Sequence, residues 1–463
     1  MLTGIFQNKA MMGMFLRIAL PVALQNLLSF AVGLMDTIMV GALGEVELSA
    51  VSVANQPFFL YLMCIFGLAS GASVLISQYW GKNDREAISK VFGIAIKISM
   101  IAGAITMVVV LFFPEQVMRA YTNEEAVIPY GVSYLRIVGF SYIFYAFTGS
   151  YTNCIRNVER VKIAVVTFSI SFFVNVFFNY MFIFGRFGAP QMGVAGAAVG
   201  TVIARIVEFC IVLFYALKLE TRVRLKLAYI LRNDKVLLKD FGHYAVPVVI
   251  NEMMWAFGTS AHTAILGRIS VTALAAVGVV TNISQIMTVL IYGAASATLV
   301  ITGKYIGAKD YAEARKGAPQ LVALNICIAV VSAGALLLLR PAFISLFSLT
   351  DAMTAATKAV INSTLIVAAF IILFQSVNMS CIVGVFRGGG DTVFAMWLDV
   401  IGVWGIAVPL GIVSGIVLLA PIPLVFFLLR SDEVVKAVVC FLRLKSGKWL
   451  RNVTRDGEGR LLE

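Results

Sequence analysis

The sequence predicts an all-α polytopic membrane protein with twelve transmembrane helices in two pseudo-symmetric six-helix lobes. Three observations carry that prediction. Of 463 residues, 60% are hydrophobic and only 13% are charged, more apolar surface than a soluble fold of this length needs. The apolar residues fall in runs of about 20 or more, the length that crosses ~30 Å of hydrocarbon. The second half of the chain repeats the first.

The runs place spans roughly at 16–41, 50–78, 91–113, 132–155, 162–185, 193–217, 241–267, 274–302, 317–339, 359–385, 393–417 and 419–443. The last two boundaries are the least sharp, because Arg430, Asp432, Glu433 and Lys436 interrupt the final run. Either these charges neutralise one another at helical spacing, or that part lies in the membrane interface. The first run is too long for a cleavable signal and lacks a small-residue cleavage site, so we expect it to remain as a helix. Six cysteines (Cys64, Cys154, Cys210, Cys327, Cys381, Cys440) lie in or beside apolar runs with no CxxC pair, suggesting neither a disulfide framework nor a zinc site.

Net charge is +12, a sum that a nucleic-acid binder could also show. Here the basic residues sit in short loops, and one alternate set of loops holds most of them. That set runs through Lys82, Arg85 and Lys90, then Arg156, Arg160 and Lys162, and then the stretch from Lys218 to Lys239. It continues with Lys304, Lys309, Arg315 and Lys316, and ends with Arg443 to Arg460 in the tail. The other set holds only Arg119, Arg186, Arg268, Arg340 and Lys358, among five glutamates. The positive-inside rule therefore places both termini and the central loop in the cytoplasm, and we expect a multi-pass protein of a bacterial inner (plasma) membrane. The lobes are expected at 1–217 and 241–443, joined by a basic linker at 218–240 and followed by a tail at 444–463.

The repeat is ungapped. IALPVALQNLLSFAVGLMDTIMVGALG aligns with YAVPVVINEMMWAFGTSAHTAILGRIS, pairing Pro21 with Pro247, Gln25 with Asn251, Asp36 with His262 and Gly41 with Gly267. The same offset pairs Tyr79 with Tyr305, Gly81 with Gly307 and Asp84 with Asp310. Two halves of equal orientation favour a transporter with its site between rocking lobes, although duplication also occurs in channels and enzymes.

At these residues the chain resembles the multidrug and toxic compound extrusion (MATE) family. The resemblance rests on LPVALQNLLSFAVGLMDTIMVGALG and its second-half counterpart, on QYWGKNDREAISKV and KYIGAKDYAEARKG, on GVAGAAVGTVIAR, and on FRGGGDT. It covers nearly the whole chain. It implies export of organic cations or other small amphipathic compounds, driven by inward Na⁺ or H⁺.

Asp36 is the first intramembrane acid. Gln25, eleven residues back, and Ser29, seven back, fall within about 20° of it on a helical wheel, giving one polar stripe. A carboxylate in hydrocarbon must be protonated, paired or wet. Asp36 is thus either a cation-responsive group or a hydrogen-bonded structural one. Asn175 and Asn179 share a face of the fifth span. The resemblance implies that they, with Thr201, complete a cation site around Asp36. Asn179 stands where best-described relatives carry a second carboxylate, which leaves Na⁺ and H⁺ both open, with oxygen donors adequate for Na⁺. Interhelical hydrogen bonding is the plainer account of both amides. Pro21 and Pro247 each remove a helix hydrogen bond and are either hinges or static kinks.

The seventh span carries Asn251, Glu252, Trp255, Thr259, His262 and Thr263. Glu252 beside Trp255 suits an anionic, aromatic-lined pocket for a lipophilic cation, or is a carboxylate paired with a neighbour. His262 either titrates or is a hydrogen-bonded interior group. Asp399 is a third acid, without a residue-level match to the family. Arg205 and Glu208, three apart, read as an ion pair. We expect a monomer that handles small cationic amphiphiles, with no nucleic-acid partner and no cofactor beyond the coupling ion. The alternatives are a lipid-linked saccharide flippase of the wider superfamily, an intramembrane enzyme and a channel. No HExxH, GxSxG or paired-aspartate motif occurs, and no filter-like glycine loop repeats.

Overall fold

The structure is a computed structural model describing residues 9–232, 234–347 and 355–456. Arg460, counted above among the tail's basic residues, lies outside them. Among the described residues the regular elements are helices, with no β-strand.

The first half runs through α1 (Lys9–Gly41), α2 (Glu45–Ala54), α3 (Gln56–Gly81), α4 (Arg85–Phe112), α5 (Pro114–Tyr121), α6 (Ile128–Val138), α7 (Ser141–Arg156), α8 (Lys162–Phe184) and α9 (Val194–Phe214). After the short α10 (Leu227–Leu231) come α11 (Lys235–Ile269), α12 (Val271–Gly307), α13 (Tyr311–Phe347) and α14 (Ala355–Asn378), the last continuing as a wide π-helical stretch to Phe386. The remainder is α15 (Thr392–Val400), α16 (Val408–Ile412), α17 (Ile422–Leu428) and α18 (Asp432–Ser446), with further π-helical turns on either side of α16.

Nine helical stretches among the described residues, several of them joining two or more of these elements, are long and apolar enough to cross a membrane. The other three expected spans are also helical, for identifiable reasons outside that set. The fourth is broken at Gly139 and Phe140 between α6 and α7. The seventh, α11, carries charged and polar residues beside Pro247. The twelfth turns at 429–431 between α17 and α18. Three of the four charges of the last span cluster, and Arg430 stands apart: Lys436 Nζ lies 2.9 Å from both Asp432 and the preceding span's Asp399, and 3.8 Å from Glu433. Large apolar side chains such as Phe173 and Leu338 stay exposed, as a hydrocarbon-facing surface requires.

The repeat is visible in local geometry. Asp84 caps α4 by accepting from Ala87 N at 3.0 Å, and Asp310 accepts from Glu313 N at 3.2 Å at the matching position. Just before them, Asn83 and Lys309 both adopt left-handed backbone, φ 60° and 62°. Gly81 and Gly307 form a reciprocal crossing. A Cβ on Gly81 would lie 2.0 Å from the Lys304 carbonyl oxygen, and one on Gly307 would lie 1.8 Å from that of Gln78, so only glycine fits either place.

The chain forms two compact units. One comprises residues up to Ala23, Ser77–Asn83 and Ile250 onward; the other comprises Leu24–Ile76 and Asp84–Val249. The chain leaves one unit for the other two residues after Pro21 in α1 and two residues after Pro247 in α11. Both helices run on through their prolines, each of which lacks the N–H that would bond the carbonyl four residues earlier.

In the unit holding Ile250 onward, Ile265, Val280, Ile291, Ile361, Leu365 and Val425 form a buried apolar core. The tail is part of this unit. Gln78 donates to the carbonyls of Gly388 (2.9 Å) and Arg451 (3.0 Å) and accepts from Val453 N (2.8 Å). Asp391, in the FRGGGDT loop, pairs with Arg443 at 2.7 Å and Arg451 at 3.1 Å. A Cβ on Gly389 would sit 2.2 Å from the Trp449 carbonyl oxygen, so the glycine run lets the tail lie flat on the loop.

Candidate functional site

The site is built in the unit holding Leu24–Ile76 and Asp84–Val249, from three helices with polar residues at helical spacing. On α8, Ser171, Asn175 and Asn179 recur every four residues, so one stripe of an otherwise phenylalanine-rich helix is polar. All three are buried, Asn179 completely. On α9, Thr201, Arg205 and Glu208 make a second stripe, and α1 supplies Asp36.

The structure brings Asp36, Asn175 and Asn179 together. Asn179 Nδ2 donates to Asp36 Oδ1 at 2.5 Å and also to Asn175 Oδ1 at 3.2 Å. Asn179 Oδ1 is buried with no hydrogen-bond partner among the described residues. Gly200, on α9, makes this possible: a Cβ there would lie 2.1 Å from Asn179 Oδ1. Thr201 is half-buried on the next position of α9, and the buried Tyr134 hydroxyl of α6 faces Thr201, Asn55 and Asp36. The result is one carboxylate among neutral oxygen and amide groups. Such donors suit a proton or a hard monovalent cation, and the orphaned amide oxygen is a ready additional ligand. Asp36, Asn175, Asn179 and Thr201 are the residues that would hold it.

The next turn is closed electrically. Arg205 Nη1 lies 2.8 Å from both carboxylate oxygens of Glu208, which also accepts from Ser171 at 2.6 Å. Arg205 lies over the Tyr145 ring at 5.0 Å, which joins the polar stripe to an aromatic cluster of Phe58, Tyr61, Tyr142 and Tyr145. The ion pair read from the sequence is therefore present. Sequence reasoning missed Ser171 and Tyr134. The four-residue spacing of SISFFVNVFFNY contained Ser171; nothing local marked Tyr134, which arrives from a separate helix.

Gln25 and Ser29 do not join this cluster. Ser29 Oγ donates to the Gln25 carbonyl of its own helix at 3.0 Å. Gln25 stands eleven residues from Asp36, about 16 Å along the axis.

In the other unit the acids are paired, which departs from the expectation of an anionic pocket. Glu252 Oε1 lies 2.7 Å from the buried Arg387 guanidinium of FRGGGDT. Asp399 Oδ1 lies 2.9 Å from Lys436. Two carboxylates in hydrocarbon are stabilised this way, and their negative charge is spent on protein cations. Asn251 is buried, and His262 Nε2 is buried without a hydrogen-bond partner among the described residues. Trp255 does line a cavity, described below, but with Thr259 and Arg430 rather than with Glu252.

Comparison with known proteins adds the following. A model of the MatE family matches residues 21–181 and again 247–413, beginning each time at the repeated proline. The chain is 23% identical to an uncharacterized transporter, YisQ, of Bacillus subtilis over 93% of both chains. It is 26% identical to the probable multidrug resistance protein YoeA of the same organism, over 85% of this chain and 84% of that one. It is 23% identical to the multidrug resistance protein MdtK of Yersinia enterocolitica over 87% of both. Its fold matches, with a TM-score of 0.85 at 19% identity and over 94% of this chain and 96% of the other, the outward-facing structure of a multidrug resistance MATE transporter of the MOP superfamily. Twelve membrane-spanning helices in two lobes are the architecture of that fold.

Proposed function

The chain belongs to the MatE family of membrane transporters, not enzymes, and from that premise we propose that it is a drug exporter that expels small amphipathic cations by antiport with Na⁺ or H⁺. The relatives named as multidrug resistance proteins support efflux of organic compounds. The observation that carries the coupling role is Asp36. It is the one acid of the first-half cluster without a cationic hydrogen-bond partner, since Arg205 is taken by Glu208. Binding a proton or Na⁺ at Asp36 changes what Asn179 can donate to, and so biases one of two arrangements of α1 against α8. Pro21, two residues before α1 changes unit, and Pro247, likewise placed in α11, supply the bending points. We place both termini and the basic stretch 218–240 in the cytoplasm from loop charge, and we propose that the protein acts as a monomer.

The test uses proteoliposomes loaded with ethidium. An imposed Na⁺ or H⁺ gradient accelerates ethidium movement by the native protein, and Asp36→Asn abolishes that acceleration while the protein still inserts and folds. Gradient-driven transport that survives Asp36→Asn overturns the coupling role. Indifference to both gradients, with movement of a labelled lipid-linked saccharide instead, makes the protein a flippase.

A further inference from the structure

The last span holds an arginine that the coupling site does not use. Arg430 stands in the turn between α17 and α18, with its N–H bonded to the Phe427 carbonyl at 3.0 Å and its own carbonyl accepting from Glu433 N at 3.1 Å. It is eight residues past the start of α17, about 12 Å along a helix, within the run expected to form the twelfth span. An unpaired guanidinium at that depth is costly, which makes it a functional candidate by default.

Every acid nearby is otherwise engaged. Asp432 and Asp399 lie 2.9 Å from Lys436. Glu433 lies 3.8 Å from Lys436 and accepts from Asn378 Nδ2 at 2.6 Å. Glu252 belongs to Arg387. Among the described residues no carboxylate lies within ion-pair distance of Arg430, and its side chain makes no hydrogen bond there.

Its side chain instead lines a cavity of about 100 Å³ within its own unit. The walls combine an aromatic face (Trp255, Tyr292, Phe426) with neutral hydrogen-bonding groups (Gln285, Thr288, Gln375), and no acid lines it. A cavity with aromatic and neutral hydrogen-bonding walls and one unpaired guanidinium has the chemistry of an aromatic carboxylate site: the fork of N–H donors meets the carboxylate and the rings meet the ring. At about 100 Å³ the recess is smaller than the roughly 150 Å³ that encloses benzene, but it is partly open, so it takes the carboxylate-bearing edge of a ring and leaves the rest outside.

We propose that this cavity binds the carboxylate end of small aromatic acids or zwitterions, with Arg430 as the charge partner and Trp255 and Tyr292 as the ring contacts. The export direction rests on the reading in the preceding subsection, but binding does not. The second-half unit then carries an anion subsite, whereas the first-half unit carries a cation-responsive acid.

The test is equilibrium binding of radiolabelled benzoate to the purified full-length protein without any gradient. The native protein binds benzoate saturably, and benzylamine, the same ring with a cation, does not compete. Arg430→Gln weakens binding roughly tenfold or more, and Arg430→Lys retains part of it. Gln375→Glu, which places an anion in the same cavity while keeping Arg430, abolishes binding and covers the case of an Arg430 variant that fails to fold. Asp36→Asn leaves benzoate binding intact even as it removes coupling, so failure of the two readings is distinguishable. Absence of saturable binding, equal competition by benzylamine, or undiminished binding by Arg430→Gln or Gln375→Glu overturns the proposal.

Discussion

Gly200→Ala tests the coupling site through packing alone, without replacing any polar side chain. The new Cβ would lie 2.1 Å from Asn179 Oδ1, 2.9 Å from Asn179 N and 3.2 Å from Asn179 Cγ. The amide must retreat by about 1 Å to restore ordinary contact. That motion breaks its bond to Asp36 and weakens the one to Asn175. Overpacking costs about 1–3 kcal/mol. Losing a hydrogen bond to a charged group costs about 1.5–3 kcal/mol more. Against these, alanine gains about 1 kcal/mol over glycine in helix propensity. The net is destabilisation of about 1.5–5 kcal/mol, read as a lower melting temperature in detergent, together with loss of gradient-driven ethidium efflux. The Asn179→Ala background removes the side-chain part of the clash. Gly200→Ala is there milder by about 1 kcal/mol or more, a coupling that a double-mutant cycle measures. A Gly200→Ala protein that melts higher than native and still couples efflux would refute the reasoning, because propensity alone would then have decided the sign.

Two further outcomes follow from the other elements. Lys436→Met leaves Asp399, Asp432 and Glu433 without their shared cation and destabilises by about 3–5 kcal/mol, so the yield of monodisperse protein in detergent collapses; native-like yield and melting would show that those acids are otherwise satisfied. Pro21→Ala restores a backbone donor to α1, so the protein melts no lower than native while its efflux rate falls; unchanged efflux would make the proline a static kink.

The candidate site was legible where its members share a helix. Asn175 and Asn179 announce themselves one turn apart among phenylalanines, and Arg205 and Glu208 at three-residue spacing predict their own pairing. The repeat was legible because identical turn geometry demands similar residues, as at Asn83–Asp84 and Lys309–Asp310. What escaped was pairing between distant elements. Glu252 meets Arg387 across 135 residues and Asp399 meets Lys436 across 37, and no periodicity encodes which cation reaches which acid. The wheel also fails locally. The π-helical stretches at Met379–Phe386 and Ile401–Ala407 turn more slowly than an α-helix, so faces projected at 100° per residue drift past them. Asp399 lies next to one such stretch, and its partner could not be projected from its own helix.

The Gln78 amide has a bearing on how the protein is made. Its bond to Val453 joins residues 375 apart, far from neighbours in the message. At 5–20 residues per second, roughly 20–75 s separate the synthesis of the two partners. Through that interval the last turn of α3 waits with its amide, and the FRGGGDT carbonyls wait with theirs, for a strip of chain still inside the ribosome. A polypeptide that terminates before Val453 has all its spans but never closes this seam. The seam therefore joins the end of α3 to chain made long after it, and it forms only once residues 388–453 have been synthesised.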